Sequence, residues 1–345
     1  MKVGRLTGRG SVGLEDVPSP SAGSGEIVVE LAACGVCGTD LEKLRGNYQT
    51  KGILGHEPVG VVVERAGDVH EIALGQRVFV HHHVPCYHCP VCEQGAYTFC
   101  PEYSSTNIDP GGFSERFRVP KVNVDRHAVL PLDSSVSWEA GAVLEPSACA
   151  LTALHRVGFR PGQSVFVAGL GPVGLLYARL AQALGASWVG GTELSELRRT
   201  FAERGGVQTF HPKDAAEVQR AVRASTRGVG ADLSVVAVGA PSAVALALAV
   251  CRRGGTLNLF GLPAPHSQLA EDLQSLYLSG VAIVPTYATT ESDIAEVHRL
   301  LATGRLHAAD LVTHHFPLSE IGSAFAAAER PQESVKVVVT GPAFH

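Results

Sequence analysis

Residues 163–193 read QSVFVAGLGPVGLLYARLAQALGASWVGGTE. The apolar run Ser164–Ala168 has the length and composition of a buried parallel strand, and Leu175–Leu184 has helical spacing. Between them lies Gly169-Leu-Gly171-Pro172-Val173-Gly174, and a second short apolar run, Ala186–Gly190, ends close to Glu193. That order suits a dinucleotide. Gly169 permits a tight turn out of the strand, Gly171 lets the backbone approach a pyrophosphate, and Gly174 lets the helix pack closely on the strand. Pro172 and Val173 complete the loop at the helix N-terminus, which faces the phosphates. Glu193 stands about 20 residues beyond the glycines, where a carboxylate accepts both ribose hydroxyls of an adenosine. GxGxxG alone is weak, since a glycine-rich turn occurs in other α/β proteins. Strand, helix, second strand and acid in register point to a doubly wound Rossmann domain.

Working outward, ADLSVVAVGA (231–240) and GGTLNLFGLP (254–263) read as two further buried strands ending in glycine. Ligands gather at the strand C-termini of such a sheet, which makes Val238, Gly239, Phe260, Gly261 and Leu262 candidates to flank a nicotinamide. Composition alone supports only buried strands there. AVALALAVC between them reads as a covering helix. In TELSELRR (192–199), Glu193 favours the free ribose of NAD because its charge repels a 2′-phosphate. Arg198 and Arg199 argue the other way, since such a phosphate would welcome them. NAD is expected, ahead of NADP.

The chain has 345 residues, enough for two domains with real cores. With 18% charged residues and a net charge of −5, no basic stripe is available to neutralise nucleic-acid phosphates. The N-terminal MKVGRLTGRGSVGLEDVPSP has no apolar signal core, and no stretch approaches the apolar length of a membrane span. A cytoplasmic protein with neither nucleic-acid nor membrane partners is expected.

Eight cysteines are unevenly placed, and four of them fall in one short run. Cys86-Tyr-His-Cys89-Pro-Val-Cys92 followed by Cys100 offers four thiolates that can close a tetrahedral shell around a structural zinc. An iron–sulfur cluster is the alternative, but ferredoxin-type runs close with three residues before the last cysteine, not seven. Earlier in the chain come Cys34-Gly-Val-Cys37-Gly-Thr39-Asp40 and Gly55-His56-Glu57-Pro58. A thiolate, an imidazole and carboxylates are the donors of a catalytic zinc with one position left open. Cys34 and Cys37 could instead be a redox pair, although the motif does not open a helix after a thioredoxin-like strand. His81, His82 and His83 cannot all face one ion from a strand, because alternate side chains point to opposite sides. One of them can reach an active site.

CGVCGTD, GHEPVG and GLGPVG, in this order, resemble the motifs of the zinc-dependent medium-chain alcohol/polyol dehydrogenase family, in its sorbitol/threonine dehydrogenase-like branch. The resemblance covers essentially the whole chain. It implies a GroES-like, mostly-β catalytic domain (1–150 and 287–345, discontinuous) and a Rossmann domain (151–286). It implies two zinc ions per chain. Cys37 and His56 would be catalytic ligands, with Glu145 of AGAVLEPSACAL as the third and Glu57 a neighbour able to approach the metal. Cys149 is the rival to Glu145; its place in an Ala/Leu helical run reads better as a buried structural thiol. Cys86, Cys89, Cys92 and Cys100 match the structural-zinc lobe. Asp40 would orient a ligand, Thr39 would relay the proton, and Arg198 would pack near the adenine. Many relatives carry His three residues after the relay hydroxyl, where this chain has Glu42, so the outer relay departs from the pattern. GGFSE resembles a loop whose aromatic, here Phe113, lines the substrate pocket, although Phe113 also fits ordinary core. Tyr287 lies where the family contributes a residue near the substrate.

The resemblance implies interconversion of a secondary alcohol and its ketone by hydride transfer, on a small polyol, cyclitol, aminocyclitol or sugar-like substrate. A threonine-type amino-alcohol dehydrogenase is the alternative. In a different class stands a non-catalytic zinc-lobe binding or electron-transfer protein. Homodimers or homotetramers are the family's habit.

Overall fold

The computed structural model describes every residue except Arg9, 48–52, 264–265, 270–271 and His345. The chain divides into two compact units, residues 1–148 with 289–345 and residues 149–288.

The first unit is built on strands β1 (Lys2–Gly8), β2 (Ser11–Asp16), β3 (Ile27–Gly35), β4 (Pro58–Arg65), β5 (Arg77–Val80), β6 (Arg116–Val119) and β7 (Val129–Pro131). β3 is the hub. All of its nine residues but Glu30 are buried, so it forms the middle of a sheet rather than an edge. It pairs antiparallel with β4 and with β6. Gly60 of β4 is required by this pairing, because a Cβ there would stand 2.1 Å from the Glu30 carbonyl oxygen.

The second unit carries strands β8 (Ser164–Ala168), β9 (Trp188–Thr192), β10 (Gln208–Phe210), β11 (Ala231–Val236), β12 (Cys251–Leu259) and β13 (Ala282–Pro285). They form one parallel sheet in the order β10-β9-β8-β11-β12-β13. The order reverses between β8 and β11, and such a switch point is where open α/β sheets bind ligands. Phe166, Val236 and Leu257 from three adjacent strands meet Val222 and Ala247 of the covering helices in one core. This is the Rossmann architecture. The helix Pro172–Ala183 starts three residues earlier than the expected Leu175, because Gly171 is its N-cap and Pro172 sits in its first turn, where the missing N–H costs nothing.

The chain then returns to the first unit with β14 (Val312–Pro317) and β15 (Lys336–Thr340). β15 joins β3 antiparallel and extends the sheet to β14-β15-β3-β4-β5-β7. Val29, Leu31, Phe117 and Phe325 centre its core. Phe113 belongs there too: it is fully buried, with its ring 5.7 Å from that of Phe325 in an edge-to-face contact. Phe113 thus takes part in the core of this unit. No helix among the described residues is long and apolar enough to cross a membrane.

Candidate metal and cofactor sites

Cys37 is placed by the turn that ends β3, as the N-cap of the helix Gly38–Leu44. Its backbone N–H donates to Asp40 Oδ2 at 3.2 Å. The other oxygen of this fully buried carboxylate accepts from Gly55 N at 3.3 Å and lies 3.5 Å from His56 Nδ1. Asp40 thus ties the two motif segments together and leaves the far nitrogen of His56 for an ion, the usual carboxylate–histidine–metal arrangement. The Cys37 sulfur, a His56 nitrogen and a Glu57 oxygen come within 4.8 Å of one another. Thr39 Oγ1 is 3.7 Å from the Cys37 sulfur. Burial opposes the charged form of His56, but Asp40 and Cys37 outweigh it and raise its pKa well above the ordinary value. A thiolate, an imidazole and a carboxylate at these separations are donors that a zinc ion fits.

Glu145 is buried but stands outside that 4.8 Å group, although its charge acts on Glu57 and on Lys336. It lies in the helix Leu144–Arg156, as does the half-buried Cys149. Glu57 has a partner that sequence reading missed. Lys336 Nζ donates to its Oε1 at 2.8 Å and to the Val36 carbonyl at 3.1 Å, and stands 2.6 Å from Oε2. Burial disfavours the Lys336 ammonium, but the facing carboxylate prevails and raises its pKa. Gly35 makes room for the pair, since a Cβ there would lie 1.8 Å from Glu57 Oε2. The only signal in the sequence was a single charged residue inside SVKVVVTG.

Glu42 accepts from Asn47 Nδ2 and Arg45 Nη1, both at 2.7 Å, and these hydrogen bonds lower its pKa. A carboxylate so paired is a poor base at neutral pH. The three histidines after β5 go separate ways. His81 Nδ1 meets Glu291 Oε1 at 2.6 Å, His83 Nδ1 meets the Thr106 carbonyl, and the ring of His82 lies 5.2 Å from that of His56.

The second cluster is the four-cysteine lobe. Sulfur separations are 3.6 Å for Cys86–Cys100 and 3.9 Å for both Cys86–Cys92 and Cys89–Cys100. Four thiolates at about 2.3 Å from a tetrahedral zinc lie about 3.8 Å apart. All four cysteines are free, and their spacing fits a metal, not a disulfide. His88 N–H helps hold the Cys86 thiol down to about 6, while burial pushes Cys92 up to about 12.

In the second unit the glycines allow close backbone contacts. Gly169 turns with φ +96°, and a Cβ on Gly174 would stand 2.0 Å from the Gly169 carbonyl oxygen. Gly171 lies beside Arg198, whose Nη1 is 3.5 Å from the position of a Cβ there. Glu193 Oε1 accepts from Leu194 N at 2.8 Å and Ser195 N at 2.9 Å, which fixes the carboxylate at the end of β9, and Oε2 makes no hydrogen bond among the described residues. Arg199 Nη1 is engaged by the carbonyls of Glu193 and Leu194, both at 2.9 Å. The ends of β8, β11 and β12 converge. Val238 would touch a Cβ on Gly169, Gly261 N donates to Val236 O at 2.7 Å, and Gly239 packs on the Leu262 carbonyl. Phe260 stacks edge-on against Tyr177 at 5.6 Å, while Leu262 and Tyr287 are exposed. The cradle fits a dinucleotide.

Comparison with known proteins gives the same reading. Residues 23–129 match the alcohol dehydrogenase GroES-like domain and residues 172–303 the zinc-binding dehydrogenase family. The chain is 30% identical to L-galactonate-5-dehydrogenase of Escherichia coli, over 94% of each chain. It is 29% identical to sorbitol dehydrogenase of Bacillus subtilis, over 98% of this chain and 97% of that one. Among solved structures, a zinc-binding dehydrogenase from Sinorhizobium meliloti bound to NADP superposes with a TM-score of 0.87 at 26% identity, over 98% of both chains. With its metal-binding motifs in one unit and its dinucleotide cradle in the other, the chain belongs to the zinc-dependent medium-chain alcohol and polyol dehydrogenases.

Proposed function

We propose that the protein is an NAD-linked dehydrogenase that oxidises a secondary hydroxyl of a polyol, cyclitol, aminocyclitol or related sugar-like substrate to the ketone, or catalyses the reverse, with one catalytic and one structural zinc per chain. The observation that carries this is the Cys37, His56 and Glu57 group, braced by Asp40 and flanked by Thr39. Zinc, when bound, supplies a Lewis acid that favours loss of the hydroxyl proton. Cys37, His56 and Glu145 would hold it, and Lys336 restrains Glu57 beside it. Thr39 would accept a hydrogen bond from the substrate hydroxyl and, as it takes that proton, pass its own toward the cofactor ribose. A bound nicotinamide, which the glycine cradle and Glu193 would hold, would supply the hydride acceptor, so that alcohol and NAD⁺ would become ketone, NADH and one proton.

Two features support NAD. Glu193 Oε2 would accept from a ribose hydroxyl, and the Arg199 guanidinium is partly occupied by backbone carbonyls. The polyhydroxy substrate class rests on the sorbitol and galactonate relatives together with the acid-rich surroundings of Cys37. The test is NADH formation by metal-quantified protein across polyols, cyclitols, aminocyclitols, amino alcohols and simple secondary alcohols. Two zinc ions per chain and turnover with NAD are expected. One zinc and no turnover would mean that only the four-cysteine lobe fills, and would end the catalytic assignment.

A further inference from the structure

The four-cysteine lobe carries a second group of donors on its outer side. The Cys86 sulfur, a ring nitrogen of His88 and a carboxylate oxygen of Glu102 lie within 4.8 Å of one another. Cys86 is buried, whereas His88 and Glu102 are exposed, so the group leads from the four sulfurs out to solvent. Its side chains are held as metal ligands usually are, by hydrogen bonds from behind. His88 Nδ1 donates to the Cys86 carbonyl at 2.7 Å, which in the neutral ring puts the lone pair on Nε2. Arg126 Nη2 donates to Glu102 Oε2 at 2.7 Å and steadies that carboxylate. Between Cys86 and His88, Tyr87 takes the left-handed conformation, φ +65°, which a bulky residue rarely adopts, and its hydroxyl is tied to Glu291 Oε2. The turn folds His88 back against the residue two positions earlier.

Neither His88 nor Glu102 is needed by the shell itself, because Cys86, Cys89, Cys92 and Cys100 already supply the four donors of a closed tetrahedron. A closed shell has no open position, so its ion can enter or leave only by exchanging ligands one at a time. Donors that share one sulfur with the shell ease that exchange, since zinc can keep Cys86 while it trades the other sulfurs for a nitrogen and an oxygen. The same features make the outer group a poor resting place. Its sulfur is committed to the shell, and its carboxylate already faces the Arg126 guanidinium, whose charge opposes a second cation. The group can hold an ion in passing, not at rest.

We propose that Cys86, His88 and Glu102 form a transfer site for zinc, through which the ion enters and leaves the four-cysteine lobe. On the way out, the bonds to Cys89, Cys92 and Cys100 break as bonds to His88 and Glu102 form, and Cys86 is kept throughout. Water then replaces the three outer donors, and the freed thiolates take protons from solvent. The inference rests on the proposed function in one respect only, the zinc ion in the lobe.

The experiment follows zinc release from the zinc-loaded natural chain, His88→Ala, Glu102→Gln and Glu93→Gln into a coloured chelator, at concentrations where the rate no longer depends on the chelator. Cys37→Ala identifies the lobe's phase by removing the other one, and competition with a chelator of known affinity gives the lobe's Kd. A transfer site lies on the path and not at either end of it. Its loss should therefore slow release from the lobe about tenfold in His88→Ala and in Glu102→Gln, while Kd stays within about twofold of the natural value. Glu93 is exposed and outside the group, so Glu93→Gln, which removes the same charge as Glu102→Gln, should release zinc at the natural rate. A merely structural role would act the other way, since a loosened shell loses its ion faster and binds it more weakly. Release that is unchanged or faster in either His88→Ala or Glu102→Gln, or slowed equally in Glu93→Gln, would overturn the transfer site and leave the structural zinc standing. No zinc beyond the ion that Cys37→Ala removes would overturn both.

Discussion

Lys336 and Glu57 show how much one pair of residues can determine. The ammonium is 3% exposed and the carboxylate not at all, so neither ion keeps its water, and each depends on the other. Removing one partner of such a pair leaves an uncompensated buried charge, typically at a cost of about 3–5 kcal/mol. Lys336→Met should therefore lower the unfolding free energy of the zinc-loaded protein by about that much in guanidinium titration. The double variant Glu57→Gln with Lys336→Met should recover a large part of it, because the stranded carboxylate is gone. A loss below about 1 kcal/mol in the single variant would mean that Glu57 takes up a proton at little cost, as a solvated carboxylate would. The contrast with Cys37 and His56 explains what sequence reading could reach. Those residues sit in short motifs whose donor types and spacing state their chemistry. Lys336 meets Glu57 from 279 positions away, in a strand that otherwise reads as apolar, and only the folded sheet brings the two together.

At the scale of elements, the lower end of the second unit's sheet is fastened by Asp232 of β11. Its Oδ2 accepts from both the backbone N–H and the hydroxyl of Ser164 on β8, each at 2.8 Å, and its Oδ1 accepts from Arg252 Nε on β12 at 2.6 Å. One side chain thus joins three neighbouring strands on both sides of the switch point. Burial favours the protonated acid, but the Ser164 and Arg252 hydrogen bonds prevail and lower its pKa. Because the folded value is depressed, this carboxylate's contribution is fully present above the unfolded pKa of about 3.9 and disappears as pH falls through the folded value. Asp232→Asn should destabilise the protein by about 1–3 kcal/mol at neutral pH, and its stability curve should converge on that of the natural chain below about pH 4. Curves that stay parallel down to pH 3 would show that the geometry of the amide, not the charge, makes the difference. The strands themselves were readable, with instructive errors at their ends. The second strand was expected at Ala186–Gly190 and runs Trp188–Thr192. Gly190 and Gly191 carry no side chain to mark a strand, and it is the pairing of Trp188 with Ser164 and of Thr192 with Ala168 that sets the register. Elements that rest on local patterning are visible in a sequence, whereas ends fixed by a neighbouring strand are not.

At the scale of the molecule, each unit has its own core and its own kind of ligand. The groups of His, Cys, Asp and Glu that could hold a metal, among the described residues, all lie in the first unit, and the glycine cradle lies in the second. The four-cysteine lobe supports little structure of its own: a four-residue helix and two single 3₁₀ turns follow the first two cysteines. Metal binding at such a site is folding free energy for the chain around it. The second unit gains nothing directly from zinc, and binding of a dinucleotide stabilises it by mass action, by about 2.7 kcal/mol at a hundredfold excess over Kd. Amide hydrogen exchange read peptide by peptide separates the two effects. Chelation should speed exchange throughout 84–105 and in β3 and β4, with little change in β8 and β11. Addition of NAD at saturating concentration should slow exchange in β8, β9 and the helix Pro172–Ala183 of the chelated protein. If chelation instead releases β8 and β3 to the same degree, the two cores unfold as one cooperative body, and zinc stabilises the dinucleotide fold as well as its own.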